Sequence, residues 1–265
     1  MANKRVETGR GRKAGVVKSA KKPANRAFYL VIALVAIGGI AALTYAATRP
    51  KGGVTTIAYD STLPKIESHG YVLGSASAPV EVTEFGDFEC PQCGRFATLT
   101  EPDVRSRLVA SGQIRYRYID YPLDMHRNTW NASIAAACAD EQGKFWEMHD
   151  AIFAAQDQWD GTATNNPNKV LKQIGEPLVP DKARFDACID NQRTKPKVQA
   201  HWKLATDIKA PGTPTFLFGD QQVSRFLTYD EFKQLVDAQI AKTKAAPAKP
   251  ATDAAKGVQL KKPAP

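Results

Sequence analysis

Cys90 and Cys93, in the run Cys90-Pro91-Gln92-Cys93, are the residues of this chain whose type and spacing most directly imply chemistry. Two thiols three positions apart can close a disulfide, or open one by thiolate attack. Pro91 suits the first position of a helix, where its missing N–H costs nothing, so the run reads as a helix start with Cys90 at the N-cap. A thiolate there receives unpaired N–H groups of the first turn and feels the positive end of the helix dipole. Both effects predict a Cys90 pKa below the ordinary value of about 8.5. Cys93, at the third helical position, is placed to attack a mixed disulfide on Cys90. Cys90 is therefore expected as the nucleophile and Cys93 as the resolver.

The same spacing supplies half of many zinc sites, but such a site needs two further ligands at suitable spacing. Cys138 and Cys188 lack that spacing, and His69, His126, His149 and His201 are scattered. No metal and no cofactor are expected. Setting the redox pair aside leaves Cys138 and Cys188, either as a structural disulfide or as two buried free thiols. A bridge between them would close a loop of about 50 residues and stabilise the fold by about 4 kcal/mol in the chain-entropy picture.

The elements that must hold this pair follow from periodicity. Residues 79–88, just before Cys90, alternate Val80, Val82 and Glu84 on one side, the pattern of a strand. Residues 113–121 alternate again, between Gly112 and Pro122. From about Asn128 to Ile208 apolar residues recur at helical spacing, with Gly143 as a divider. Thr215 to Phe218 reads as a short strand, Gly219-Asp220 as a turn, and Gln221 to Ser224 as its hairpin partner. Thr228 and Glu231 have capping-box spacing ahead of Phe232, Leu235, Val236 and Ile240, which predicts a final helix. Phe85, Phe88, Phe145 and Trp146 are expected in the core, His126 and His149 as packing or surface residues, and Glu89 as a solvated carboxylate.

The net charge of +9 is not spread evenly. Residues 1–26 carry nine Lys and Arg against Glu7, and residues 241–265 carry six Lys against Asp253. The intervening residues are mildly acidic, with 21 basic and 25 acidic groups, and show no basic stripe interleaved with aromatics. Nucleic acid is therefore not an expected partner. Ala27 to Ala47 is uncharged and apolar, and as a helix would extend about 31 Å, enough for a bilayer core. The basic residues before it predict a single transmembrane anchor with a cytoplasmic N-terminus and everything after it across the membrane. A cleaved signal peptide, leaving a secreted or periplasmic domain, is the competing reading. The resulting division is a basic tail (1–26), an anchor (27–47), a linker (48–70), a folded domain (71–242) and an Ala/Pro/Lys-rich tail (243–265) without the apolar residues to fold. All four cysteines lie beyond the anchor, where an oxidising compartment permits disulfides.

The run Glu84-Phe85-Gly86-Asp87-Phe88-Glu89-Cys90-Pro91-Gln92-Cys93 resembles the DsbA-like disulfide oxidoreductases, in their membrane-anchored or secreted bacterial branch. The similarity continues through LGSASAPVEVTEF, CADEQGKFWEMHDAIF and GTPTFLFG, and covers most of 71–242. The resemblance implies an α/β thioredoxin-like fold with an inserted helical subdomain over about 122–208. It also implies that Pro214 is a cis-proline facing the cysteines, with Thr213 before it. Glu84 matches the family's buried acid, which could accept the proton of Cys93; an exposed strand carboxylate is the alternative. Gln92 stands where the best-known oxidases carry a histidine. A neutral amide offers no positive charge, so a less depressed Cys90 pKa and a less oxidising centre than theirs are expected.

The expected activity is that of an extracytoplasmic thiol-disulfide oxidoreductase, an oxidase that passes its Cys90–Cys93 disulfide to exported cysteine-containing proteins. A separate membrane partner, quinone-linked, would reoxidise it. A reductase or isomerase fed by an electron donor uses the same residues. A tethered binding or chaperone module, in which the cysteines only stabilise the fold, is the reading from another class. The linker is too short for a dimerisation domain, which favours a monomer.

Overall fold

The computed structural model describes residues 26–48, 55–56 and 69–245. The chain divides into two units, an N-terminal one ending at Lys51 and a second beginning at Gly52. Within the first, helix α1 spans Arg26–Thr48. Its described side chains cover 28–41 and Thr44 and are exposed. Among the described residues no helix is long and apolar enough to cross a membrane. The basic tail before Arg26, most of the expected linker and the tail after Ala245 lie outside the described residues.

The second unit is built on a six-stranded mixed sheet, with strands β1 (Thr55–Thr56), β2 (Tyr71–Leu73), β3 (Val80–Gly86), β4 (Ile114–Asp120), β5 (Thr215–Phe218) and β6 (Gln221–Val223) in the order β1-β6-β5-β3-β4-β2. Only β3 and β4 run parallel, with Val82 opposite Tyr116 and Glu84 opposite Tyr118. β5 pairs antiparallel with β3, setting Phe216 opposite Glu84. Two strands were not foreseen. β2 is three residues long, too short to show a period, and β1 lies inside the stretch read as linker, part of which therefore joins the sheet edge beside β6.

Helices cover both faces because β3 and β5 are buried throughout apart from Glu81, so a single-sided alternation does not apply to them. On one face Val80, Val82, Tyr116, Phe216 and Phe218 pack with Phe96 of α2 (Pro91–Leu99) and with Phe232 and Val236 of the last helix, Tyr229–Ala245. On the other, Phe85, Ile119 and Leu217 meet Leu204, Ala205 and Ile208, at and just beyond the end of the helix Lys195–Asp207. Since successive strand residues alternate sides, Glu84 shares the face of Val80 and Val82, beneath α2. After α2 the chain makes one short turn, α3 (Glu101–Asp103), then a π-helical stretch over Val104–Val109, where the Ala110 N–H bonds back five residues to Arg105 O at 3.0 Å.

Between β4 and β5 lies the helical insertion: α4 (Thr129–Asp140), α5 (Phe145–Ala154), α6 (Gln156–Trp159), α7 (Pro167–Gly175), α8 (Lys182–Asp190) and α9 (Lys195–Asp207), followed beyond β6 by α10 (Tyr229–Ala245). Gly143, at φ 70°, makes the turn between α4 and α5. The alanine run in α4 is buried, and its small side chains let α5, α7, α8 and α9 approach. Thr228 and Glu231 form the expected reciprocal cap of α10, the Thr228 N–H donating to Glu231 Oε2 at 3.0 Å and the Glu231 N–H to Thr228 Oγ1 at 3.4 Å.

Cys138 of α4 and Cys188 of α8 are joined by a disulfide, with Cα atoms 5.8 Å apart and a separation of 50 positions in sequence. Replacing both by alanine should lower the unfolding free energy by about 2–4 kcal/mol, read as a lower urea midpoint, because the unfolded chain regains the freedom of that loop. An unchanged midpoint would show that the bridge does not hold the insertion together.

Candidate active site

Three segments distant in sequence converge at the start of α2. Cys90 is the N-cap residue, with φ −71° and ψ 122°, and Pro91 is the first helical residue. Across from it the Thr213–Pro214 peptide bond, just before β5, is cis, and the Cys90 thiol donates to Thr213 O at 3.3 Å. From the insertion, Gln156 Nε2 donates to Phe88 O at 2.7 Å and Cys90 O at 3.1 Å, pinning the backbone on both sides of Glu89. Gly94 lets Gln156 approach: a Cβ there would lie 2.9 Å from Gln156 Oε1.

The two sulfurs differ in solvation. Cys90 and Cys93 are free thiols, Cys93 wholly inaccessible and Cys90 7% exposed. The Cys90 pKa falls from 9.0 to about 6, chiefly because the Cys93 thiol donates to the Cys90 sulfur; burial opposes this, and the Thr213 side chain and the Cys93 and Gln92 backbones add to it. The Thr213 hydroxyl is buried and unpartnered in the thiol state, which leaves it free to donate to a thiolate. The largest stabiliser of the anion is thus its partner thiol, followed by Thr213 and then by the amides of Cys93 and Gln92. Gln92 is exposed and acts through its backbone. Burial pushes the Cys93 thiol well up, as do its bond to Cys90 and the charges of Cys90 and Glu84, against a smaller opposing effect of the Asp87 backbone.

Glu84 is 1% exposed, so the reading of it as an exposed strand carboxylate fails. Burial and the nearby Glu101 raise its pKa well above the ordinary carboxylate value, and a hydrogen bond from the Tyr116 hydroxyl and the charge of Arg105 only partly offset this. A carboxyl and a thiol of raised pKa therefore share one dry compartment under α2, and the charge of Glu84 raises the proton affinity of Cys93. Such a compartment can give a proton to Cys93 or take one from it.

Several supports have no local sequence signal. Asp87 is buried and accepts from Glu89 N at 2.8 Å, Leu123 N at 2.8 Å, His126 Nδ1 at 2.7 Å and Thr129 Oγ1 at 2.5 Å. It ties the loop before Cys90 to the entrance of the insertion, and its bond is the main cause of a raised His126 pKa. Glu89 is not solvated as expected: its oxygens accept Asn128 N and Gly161 N, both at 2.6 Å, because the insertion loops fold over it. His149 is wholly buried, and His126 is a hydrogen-bonded part of the site's frame.

A cysteine pair at a helix start, facing a cis-proline across a mixed sheet with helices on both faces, defines a thioredoxin-like fold with a helical insertion. A family model described as "Thioredoxin" matches residues 67–238, and the chain belongs to that family. The chain is similar in fold to the crystal structure of Wolbachia pipientis alpha-DsbA1, with a TM-score of 0.60 at 19% identity over 69% of this chain and 96% of that one. It is 24% identical over 183 residues to disulfide bond formation protein D of Bacillus subtilis, covering 64% of this chain and 76% of the relative. The crystal structure of oxidised BdbD from Bacillus subtilis superposes with a TM-score of 0.60 at 22% identity, over 68% of this chain and 96% of that one, and so agrees in fold. The chain is also 37% identical over 158 residues, 59% of its length, to Na(+)/H(+) antiporter NhaA 3 of Salinispora tropica. It spans only 22% of that relative's length.

The difference between the two thiols can be read directly. Iodoacetamide should modify Cys90 with a pH midpoint near 6 and leave Cys93 unmodified in the folded protein. Mass spectrometry after brief alkylation at a series of pH values decides it, and a midpoint near 8.5, the free-thiol value, would remove the claimed stabilisation of the thiolate.

Proposed function

We propose that this chain is an extracytoplasmic thiol-disulfide oxidoreductase working as an oxidase, with Cys90 the exchanging cysteine and Cys93 the buried one. The observation that carries this reading is the lowered pKa of Cys90 beside the raised pKa of Cys93. At pH 7 a thiol with a pKa of about 6 is mostly ionised, whereas one at 9.0 is almost wholly protonated. The equilibrium is thereby shifted about tenfold towards the reduced protein relative to an unperturbed thiol, on the order of 30 mV towards an oxidising couple. The pKa is depressed, so this advantage is full above pH 9 and disappears as the pH falls through about 6.

In the proposed reaction a substrate thiolate attacks Cys90 Sγ of the disulfide form. The Cys90–Cys93 bond breaks, and Cys93 leaves as a thiolate that takes up a proton in the compartment it shares with Glu84. A second substrate thiolate then attacks the substrate sulfur of the mixed disulfide, releasing Cys90 as a stable thiolate and the substrate as a disulfide. Thr213 O, beside Cys90 and just before β5, is the proposed acceptor for an extended substrate backbone. Exported cysteine-containing proteins are the proposed substrates, and a separate membrane partner reoxidises the pair. The Cys138–Cys188 bridge within the insertion supports an oxidising compartment.

Two measurements test this. Cys93→Ser should accumulate mixed disulfides through Cys90 when expressed with its natural substrates, and Cys90→Ser should not. Equilibration of the parent with glutathione should give a potential clearly less negative than that of thioredoxin, about −270 mV. A thioredoxin-like potential would assign the reductase direction instead, and an inert Cys90 would assign the binding-module reading.

A further inference from the structure

Next to the buried acid lies a set of polar groups that the exchange chemistry described so far does not use. Glu101 of α3 is 1% exposed and His149 of α5 is inaccessible. Glu101 Oε2 and His149 Nε2 face each other at 3.8 Å, and each is buried without a hydrogen-bond partner. That gap is longer than a hydrogen bond. The other oxygen of Glu101 is held by Arg105 of the π-helical stretch, whose Nε donates to it at 2.8 Å. The unpaired oxygen is therefore kept aimed at the imidazole.

The far side of the ring is set up for exchange as well. His149 Nδ1 lies 2.9 Å from Asp150 Oδ1 and 3.2 Å from Arg105 Nη2. A carboxylate needs a proton on Nδ1, whereas a guanidinium, which only donates, needs a lone pair there. One tautomer satisfies Asp150 and the other Arg105, and each leaves Nε2 in the opposite state towards Glu101. The titratable groups around the ring are Glu101 of α3, Arg105 of the π-helical stretch, Asp150 of its own helix and Tyr118 of β4, whose ring lies 5.0 Å away. Asp150 is 56% exposed in its side chain and, with Arg105, Ala97, Pro102 and Ser106, lines a surface cavity of about 480 Å3. At the inner end, Glu101 is close enough for its charge to act on Glu84.

We infer that Glu101, His149 and Asp150 form a proton relay that connects the compartment of Glu84 and Cys93 to solvent at the cavity beside Arg105. The inference rests on the proposed function, since it concerns the proton that Cys93 exchanges. When a mixed disulfide on Cys90 is resolved, Cys93 gives its proton to Glu84, and its sulfur attacks Cys90 Sγ. The bond from Cys90 to the outer sulfur breaks, and the displaced thiolate carries away the electron pair. The proton passes from Glu84 to Glu101, enters His149 at Nε2 and leaves from Nδ1 to Asp150. In the oxidising direction the same path runs inward and protonates Cys93.

Reaction of the reduced protein with dithiobis(nitrobenzoate) separates the two steps. Attack by Cys90 releases one coloured thiolate; attack by Cys93 on the resulting mixed disulfide releases a second and leaves the Cys90–Cys93 disulfide. In Glu101→Gln and His149→Ala the second release should slow at least about tenfold at pH 7, with the slowing confined to that phase. Imidazole should restore the second phase of His149→Ala, and pyrazole, of the same shape but not basic at this pH, should not. If pyrazole restores it equally, His149 only fills space and the relay is wrong. A folded Glu101→Gln with an unchanged second phase overturns the relay even if His149→Ala does not fold. Absence of the first release from the parent protein overturns the functional reading, and the relay with it.

Discussion

The disulfide at the heart of this protein joins two sulfurs that the fold places in different media. Cys90 sits at a helix start where its partner thiol, Thr213 and backbone amides can hold an anion, and Cys93 sits one helical turn deeper with no access to water. A bond between such sulfurs opens in one direction, with negative charge kept at Cys90 and a proton needed at Cys93. Everything else about the site follows from maintaining that difference. A buried acid must lie near Cys93, the thiolate must be lined with donors, and the backbone around Cys90 must not relax.

Each requirement is met by a different part of the fold. The alternation of β3 turns Glu84 towards α2, where Phe96, Phe216 and Phe232 keep the space dry. The insertion fixes the frame, through Gln156 on the carbonyls beside Cys90, through Asp87 on the loop entering it, and through Glu89 on the turns at Asn128 and Gly161. Removing either carboxylate would leave two main-chain donors unpaired at once, each costing about 1–3 kcal/mol. The stability of the site is therefore carried by residues that do not touch a substrate.

The sequence shows best what is decided within a few residues. The Pro91 helix start, the cap at Thr228 and Glu231, the turn at Gly143 and the strands over Val80–Gly86 and Ile114–Asp120 are all local, and each was visible from spacing. The place of Glu84 was less clear, because a strand buried on both faces does not show which alternate residues are inside. Thr213 and Pro214 were legible only through likeness to a family, since nothing local announces a cis bond or the sulfur it will face. Asp87, Glu101, Arg105, His149 and Gln156 are ordinary polar residues in sequence, brought together by contacts across 40 to 70 positions or by the π-helical stretch. Glu89 read as solvated because the main-chain groups that bind it, at Asn128 and Gly161, lie 39 and 72 positions further on.

The pH dependence of the Cys90–Cys93 potential tests the central claim most directly. Where both thiols take up a proton on reduction the potential falls about 59 mV per pH unit, and where only one does it falls about half as steeply. With the Cys90 pKa at about 6 and that of Cys93 well above 9.0, the steep slope should give way to the shallow one near pH 6 and stay shallow through neutral and mildly alkaline pH. A steep slope continuing past pH 8 would mean that Cys90 holds its proton like an ordinary thiol, and would contradict the account.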